Sequence, residues 1–185
     1  MKLPSKIKGL LSTGTSPEYL WRKFYRTRKP EYLASLVQLF NQPLFHYLLT
    51  LTDASTAEDV IQTVWLKVLK MDTPQTSDIV VKSWLFKVAR NSLIDELRRL
   101  NRWRYEELKE HTIELEVPLE IKVFDDRLGK FNWALSKLSF AQKEAFIFQQ
   151  EGFSLMEICE ITDESFETIK SRIRYAKANL KRLMS

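Results

Sequence analysis

Two short amphipathic segments near the C-terminus, separated by a tight turn, constrain the fold most strongly. The first covers residues 154–161 and the second covers residues 165–174. Ser154 and Glu157 form the pattern of a capping box, and Ser165 is a second N-cap candidate. The spacing of the two helix starts is one that a helix-turn-helix allows. The sequence therefore predicts a helix-turn-helix, with a plain pair of antiparallel helices as the open alternative.

The second of these segments has an apolar side and a polar side. Its apolar side chains recur at helical spacing, at Ile169, Ile173, Ala176 and Leu180. The side chains left on the outer face are Glu167, Lys170, Ser171 and Arg174. Such donors and acceptors can contact base edges in a DNA groove. The pattern favours DNA binding, and the competing interpretation is that these charges are only solvated.

The composition favours an all-helical fold. The 185 residues include four glycines and six prolines, too few for a loop-rich or β-rich chain, and the hydrophobic content of 44% suffices for buried cores. The net charge of +5 is compatible with a polyanionic partner without identifying one. The lone Cys159 cannot form an internal disulfide, and no apolar run approaches the roughly 20 residues of a membrane span. We therefore expect a soluble, cytoplasmic protein.

Charge is distributed along the chain in blocks. Residues 1–29 are strongly basic, whereas residues 103–126 are mostly acidic. We predict an all-α fold of two small helical domains joined by an acidic linker. Its four parts are a basic N-terminal extension (1–33), a helical domain (34–102), the linker (103–128) and a C-terminal helix-turn-helix domain (129–185). The extension is expected to be either disordered or an added contact to nucleic acid or protein, formed by Trp21, Phe24 and Tyr25 among arginines.

An amphipathic helix is predicted over residues 57–70, with Ser55 or Thr56 as its cap. Its apolar stripe comprises Ala57, Val60, Ile61, Val64, Trp65, Val68 and Leu69. Three residues lie together off this stripe, on the side expected to be exposed: Asp59, Gln62 and Leu66. They form a possible contact for a partner, although single exposed leucines are common on protein surfaces.

A second helix is predicted over residues 83–100, with an inner stripe of Leu85, Val88, Ala89, Leu93 and Leu97. A different face carries Lys87, Arg90, Asn91, Ile94 and Arg98. Cations near a helix C-terminus stabilise the helix whether or not they bind a ligand. Asn91 is more informative, because asparagine is a poor helix former and its amide can bond to bases or phosphates. The preceding polar segment, 72–82, is long enough to hold an unpaired base.

Both halves resemble a known family, the extracytoplasmic-function (group IV) bacterial sigma factors. The segments similar to its conserved region 2 are 57–62, 84–91 and 93–99, and those similar to its region 4 are 134–138, 151–158 and 168–173. In order along the chain, with the acidic segment between them, these motifs cover nearly everything from residue 34 onward.

The resemblance implies a transcription initiation factor that binds core RNA polymerase and promoter DNA. The implied polymerase-binding residues are Asp59, Gln62 and Leu66. Contacts to a melted minus-10 element, with one base flipped into a pocket, are implied for Lys87, Arg90, Asn91 and Arg98. Contacts to the minus-35 duplex are implied for Glu167, Thr168, Lys170, Ser171 and Arg174. The linker would follow polymerase channels, and an anti-sigma factor is a further possible partner.

Three other classes of function remain open. For an enzyme, His46, His111 and Cys159 are isolated, and no phosphate-binding glycine loop or metal-ligand spacing is visible, so we expect no catalytic residue, metal or cofactor. A stand-alone helix-turn-helix regulator would bind duplex DNA without polymerase. A protein-interaction adaptor would leave the basic outer faces unexplained.

Overall fold

The computed structural model describes residues 16–71, 80–107 and 126–184, without the side chains of 101–107 and 126–128. Within these ranges every regular element is an α-helix, which confirms the all-α prediction. The helices are α1 (Pro17–Thr27), α2 (Pro30–Leu49), α3 (Ala54–Lys70), α4 (Val81–Glu107), α5 (Asp126–Ser136), α6 (Phe140–Gln150), α7 (Leu155–Thr162) and α8 (Phe166–Met184). None of these helices combines the length and apolar composition that crossing a membrane requires.

The first helix, α1, belongs to the core of the N-terminal half. Ser16 caps it by accepting a hydrogen bond from the Tyr19 backbone N–H, and Pro17 occupies the first turn, where its missing N–H costs nothing. The helix ends at Arg28, whose left-handed backbone (φ 53°) turns the chain into α2. α1 then packs against both α2 and α4.

Trp21, Phe24 and Tyr25 of α1 are buried, which corrects the expectation that they lie in a disordered segment or contact another molecule. Residues 1–15 of the predicted extension lie outside the described residues. Trp21 is 0% exposed, and its ring meets the edge of Trp84 at 5.0 Å between centroids. The Tyr25 hydroxyl donates to the Val68 carbonyl at 2.7 Å, and Phe24 is buried beside it. Burying a ring of this size stabilises a fold by about 1.5–3 kcal/mol, so these residues serve the chain's own core.

The start of α3 differs from the sequence prediction. Asp53 is the N-cap, in place of Ser55 or Thr56: its carboxylate accepts from the Thr56 backbone N–H at 3.0 Å and from the Thr56 hydroxyl at 2.8 Å. The predicted apolar stripe of this helix is otherwise buried or half-buried, except that Leu69 is 48% exposed. α3 packs between α2 and α4.

The fourth helix is longer than predicted at both ends. It includes Val81 at its start, and at its end it continues to Glu107, inside the segment interpreted as a linker. Ion pairs one turn apart support its exposed part: Arg98 lies 3.6 Å from Asp95, and Arg99 is hydrogen-bonded to Glu96. The rest of the predicted loop and linker, residues 72–79 and 108–125, lies outside the described residues.

The C-terminal half contains the two helices that the sequence predicted most clearly. The capping box of Ser154 and Glu157 is formed at the start of α7, and Ser165 accepts from the Thr168 backbone N–H at 3.2 Å at the start of α8. Between them Asp163 adopts the left-handed conformation (φ 56°), which aspartate tolerates better than most residues. The predicted inner stripe of α8 is buried: Ile169, Ile173, Ala176 and Leu180.

The two halves of the chain share one continuous core. Tyr47 of α2 stacks on Phe148 of α6, with centroids 4.8 Å apart and an interplanar angle of 20°. Phe86 of α4 meets the edge of Phe153 at 5.0 Å. Tyr47, Phe86 and Phe148 are each 0% exposed. The division into domains at residues 33, 102 and 128 therefore stays a prediction, because helices from both halves contribute to the same buried cluster.

Candidate functional site

The residues predicted to bind polymerase lie together on the exposed side of α3. Asp59, Gln62 and Leu66 are spaced by three and four positions, so they follow one another along a single face. Leu66 is 51% exposed, and the similarly exposed Leu69 extends this face by one turn. We call Asp59, Gln62 and Leu66 the α3 surface; an apolar side chain beside a carboxylate and an amide suits contact with another protein.

A cleft of about 330 Å³ opens beside the α3 surface, between α3 and α4. Asp59 lines it together with Asp95 and Glu96 of α4. A hydrogen bond of 2.9 Å from the Lys67 ammonium to the Ser92 hydroxyl joins the two helices at its wall. The α3 surface is thus bordered by a concave region with several carboxylates.

The four residues predicted to bind the minus-10 element have two different environments on α4. Asn91 and Arg98 are exposed. Lys87 and Arg90 point toward the C-terminal helices and are bonded to them. The structure therefore brings the four residues onto one helix, where Arg90 is largely covered and Lys87 is paired but its side chain stays 38% exposed.

Arg90 forms a largely buried ion pair with Glu144 of α6. Its Nε donates to Glu144 Oε1 at 3.0 Å, and the Tyr47 hydroxyl donates to the same oxygen at 3.1 Å. Burial raises the pKa of the Glu144 carboxyl, and the Arg90 guanidinium opposes that shift. Burial also raises the pKa of the Tyr47 hydroxyl well above its usual range, and the neighbouring Glu144 charge adds to this effect. Three polar groups thus satisfy one another inside an otherwise aromatic contact.

Two lysines of α4 make further bonds to the C-terminal half. The Lys87 ammonium lies 2.7 Å from Asp163 Oδ1 and donates to the Glu160 carbonyl at 2.7 Å. The Lys82 ammonium donates to the Glu151 carbonyl at 2.6 Å and lies 4.2 Å from the centre of the Phe153 ring. Burial lowers the pKa of Lys82. These bonds anchor α4 to the end of α6 and to α7.

The outer face of α8 holds the residues predicted to bind the minus-35 element. Glu167, Lys170 and Arg174 are exposed, whereas Thr168 and Ser171 are half-buried. Lys170 lies 3.7 Å from Glu167, and the Thr168 hydroxyl is bonded to Ser165. These positions form a polar surface about two turns long.

Tyr175 was not among the predicted residues, although it is 53% exposed at the end of this outer face. The Arg174 guanidinium lies 5.0 Å from the centre of its ring. An exposed tyrosine next to an arginine on a polar helix face was the available sequence signal. Glu144 gave no such signal, because its partner Arg90 is 54 positions away in the sequence.

Comparisons with known proteins identify the family. The family model for sigma-70 region 2 matches residues 36–104. The ECF RNA polymerase sigma factor SigL of Mycobacterium tuberculosis is 36% identical over 144 residues, which cover 72% of this chain and 77% of SigL. The chain belongs to the ECF RNA polymerase sigma factors. This sigma factor is thus a transcription initiation factor that acts with RNA polymerase, and the stand-alone regulator is not favoured.

Other relatives agree with this assignment. The sigma factor RpoE of Cereibacter sphaeroides is 32% identical over 135 residues, covering 70% of each chain. The solved structure of RpoE from Bartonella quintana, in complex with the anti-sigma factor NepR, superposes with a TM-score of 0.64 at 25% identity and covers 82% of this chain and 96% of that one. CnrH, solved with the cytosolic domain of CnrY, has the same fold, with a TM-score of 0.66 at 18% identity over 91% of this chain and 96% of its own.

Proposed function

We propose that this sigma factor binds core RNA polymerase through the α3 surface and directs it to promoters through two DNA contacts. α4 holds the melted minus-10 element, and α8 enters the major groove of the minus-35 duplex. The protein works in the cytoplasm without a catalytic residue, metal or cofactor of its own. The main support for this proposal is that the chain belongs to this family and exposes two polar surfaces, the α3 surface and the outer face of α8.

The exposed leucine supports the polymerase contact on α3. The Leu66 side chain is half exposed, so it contributes little to the stability of the free chain. Covering it with a partner would remove apolar surface from water, which favours binding. Asp59 and Gln62 can fix the orientation of that partner through directed polar bonds. Truncating either residue removes no buried contact within the fold, because both side chains are exposed.

Exposed bases are required for the minus-10 contact. A base in duplex DNA hides its Watson–Crick edge, and extracting it costs a few kcal/mol that bonds in a pocket must offset. Asn91 offers an amide that can donate and accept, and Arg98 offers a cation for the backbone. Lys87 and Arg90, nearer the start of α4, are proposed as further cations of this contact.

Intact duplex is required for the minus-35 contact. The N-terminal half of α8 presents Lys170 and Arg174 away from the buried stripe, which is the geometry of a recognition helix in the major groove. Arg174 can bond a guanine edge in two places, whereas Lys170 suits a phosphate or a single base acceptor. An anti-sigma factor is a further proposed partner, supported by the complex that RpoE of Bartonella quintana forms with NepR.

Binding to core polymerase, followed by start-site mapping, tests this proposal. Polymerase plus this chain should initiate transcription on genomic DNA at sites that share two upstream motifs, whereas the chain alone should bind the same duplexes weakly. Asp59→Ala with Gln62→Ala should weaken polymerase binding. Glu31→Ala with Gln38→Ala, which removes the same side-chain types from exposed positions on α2, should not. Tight, salt-resistant duplex binding without polymerase would support the stand-alone regulator instead.

A further inference from the structure

The side of α1 that faces away from the core carries a stripe of cations to which the proposed function gives no role. Four side chains spaced by three and four positions follow one another along this side: Tyr19, Arg22, Lys23 and Arg26. We call these four residues the α1 basic face. We propose that the α1 basic face binds the phosphate backbone of promoter DNA beside the minus-10 element. This inference rests on the proposed function, because it takes α4 as the helix that holds that element.

The α1 basic face lies opposite the buried aromatic side of the same helix. Tyr19, Arg22 and Arg26 are exposed, and Lys23 is half-buried. The Lys23 ammonium lies 5.4 Å from the centre of the Tyr19 ring. Trp21, on the other side of the helix, is 0% exposed. One side of α1 therefore fixes the helix in the core, and the other side presents its cations to the solvent.

Two contacts hold α1 beside α3 and α4. The Arg28 guanidinium donates to the Met71 carbonyl, directly after α3, at 2.8 Å. The Trp21 ring meets Trp84 in the first turn of α4. Packed helices lie about 8–10 Å apart, so DNA that lies along α4 comes within reach of long side chains on α1. The α1 basic face can therefore extend the DNA surface of α4 past the start of that helix.

The cations of the α1 basic face have no acidic partner in the part of the chain that the structure describes. No ion pair there involves Arg22, Lys23 or Arg26, whereas Lys87 of α4 is paired with Asp163. The surrounding sequence has the same sign, because Glu18 is the single acidic residue among residues 1–29. A surface that serves only solubility usually mixes both signs of charge. An unpaired stripe of one sign therefore favours an anionic partner.

The chemistry of the α1 basic face suits a phosphate backbone better than another protein. The face includes no aliphatic side chain, whereas protein interfaces have an apolar centre. Arginine, lysine and tyrosine side chains all bond phosphate oxygens. The stretch from Tyr19 to Arg26 is about 10 Å long, at about 1.5 Å per helical residue. One DNA strand carries a phosphate about every 3.4 Å along the duplex axis, so the face matches about three phosphates.

The family match does not assign this face, because the match to sigma-70 region 2 starts at residue 36 and α1 ends at Thr27. A contact to phosphates carries no sequence information of its own. The α1 basic face should therefore raise the affinity for different promoters about equally, while base recognition stays with α4 and α8.

Neutralising the two exposed arginines tests the contact without disturbing the core. Arg22→Gln with Arg26→Gln keeps long side chains that are good helix formers. The matched control is Lys130→Gln with Lys137→Gln, which removes two charges from exposed side chains on and next to α5. A charge-conserving variant, Arg22→Lys with Arg26→Lys, keeps the cations.

Binding of the holoenzyme to promoter DNA across a range of salt concentrations is the main measurement. The probe is a promoter fragment from the mapped start sites, with a preformed bubble across the minus-10 element. The glutamine variant should bind about tenfold more weakly at about 0.1 M salt. Its slope of log affinity against log salt should be smaller by about two, one for each lost phosphate contact. The lysine variant should keep most of the parent slope, and the α5 control should match the parent in both values.

The affinity of each variant for core polymerase and its binding to DNA without polymerase complete the test. Affinity for core polymerase should be the same for the parent and the glutamine variant. On a mixed-sequence duplex at low salt, the free glutamine variant should also bind more weakly than the free α5 control.

The outcomes separate this inference from the proposed function. Equal salt slopes for the glutamine variant and the α5 control would overturn the backbone contact. A loss of polymerase affinity in the glutamine variant would show a protein contact instead, and tighter DNA binding would show that the face binds acidic residues of its own chain. Failure of the parent chain to bind core polymerase would overturn the proposed function, while the measurement on the free chain would still test the α1 basic face.

Discussion

Asp53 stabilises α3 by accepting hydrogen bonds from the backbone and the side chain of Thr56. The backbone N–H of Thr56 is the main reason why the pKa of the Asp53 carboxyl is lowered. A lowered pKa means that the folded chain holds this carboxylate in its charged form more strongly than the unfolded chain does. The stabilisation is therefore complete above the ordinary pKa of about 3.8 and is lost as the pH falls through the lower folded value.

Asp53→Ala should lower the free energy of unfolding by about 1 kcal/mol at neutral pH, the usual cost of losing an N-cap. Asp53→Asn should cost less, because an amide oxygen can still accept from the Thr56 N–H. The difference in the free energy of unfolding between the parent chain and Asp53→Asn should shrink as the pH falls below about 4. Urea unfolding at several pH values measures this, and a difference that grows toward acid would contradict it.

Arg174 is the residue on α8 best suited to recognise a base. Arg174→Ala should weaken closed-complex formation by about 1–3 kcal/mol if the guanidinium contacts a guanine, and by less if it contacts only phosphate. Lys177→Ala removes another exposed cation one turn further along and serves as the control. Footprinting of the holoenzyme on promoter duplex at low temperature measures closed-complex formation. Equal losses of closed-complex affinity for both variants would show that Arg174 contributes only its charge.

Among the elements, α1 shows how a basic, aromatic segment becomes part of a core. Trp21 packs its ring against Trp84 and Tyr25, with centroids 5.0 and 4.9 Å away. Its indole N–H is buried without a hydrogen-bond partner in the described part of the chain. The ring therefore contributes through apolar and aromatic contact, and the helix fixes the positions of α2 and α4.

Trp21→Ala should lower the free energy of unfolding by about 3–5 kcal/mol, because it leaves a large cavity between α1 and α4. Trp21→Phe should cost much less, since it keeps an aromatic ring and removes the unpaired N–H. Trp133→Ala, at a position that is 51% exposed on α5, should change stability by less than about 0.5 kcal/mol. Thermal unfolding distinguishes the three variants. If Trp21→Ala were as stable as Trp133→Ala, the proposed packing role of the Trp21 ring in the core would be contradicted.

For the whole molecule, two DNA surfaces on α4 and α8 imply two separable steps. A helix in the major groove needs intact duplex, whereas capture of single bases needs opened DNA. Arg174 on α8 should therefore act before melting, and Asn91 on α4 should act during or after it.

Comparing duplex templates with templates that carry a preformed bubble tests this order. Arg174→Ala should reduce binding to both, because the upstream duplex is the same. Asn91→Ala should leave upstream contacts intact and reduce opening of the duplex template. On the bubble template it should bind but discriminate poorly between correct and altered minus-10 bases. The same defect for both variants on both templates would refute the division of labour.

The sequence by itself determined α3, α4, α7 and α8 and most of their buried faces. Periodicity predicted α3, α4 and α8, and the capping box predicted the start of α7. These features follow from neighbours within about four residues, where spacing and side-chain chemistry are sufficient. The α3 surface was predicted for the same reason, since a residue off a sharp apolar stripe must face outward.

Only the tertiary structure decided which polar groups are free. Arg90 and Asn91 are adjacent in the sequence, yet Arg90 is paired with Glu144 whereas Asn91 is exposed. Trp21 gave an equally ambiguous signal, because a basic aromatic helix suits either a ligand or a core. Such outcomes depend on contacts between residues far apart in the chain, and those contacts are set by how the helices pack rather than by local pattern.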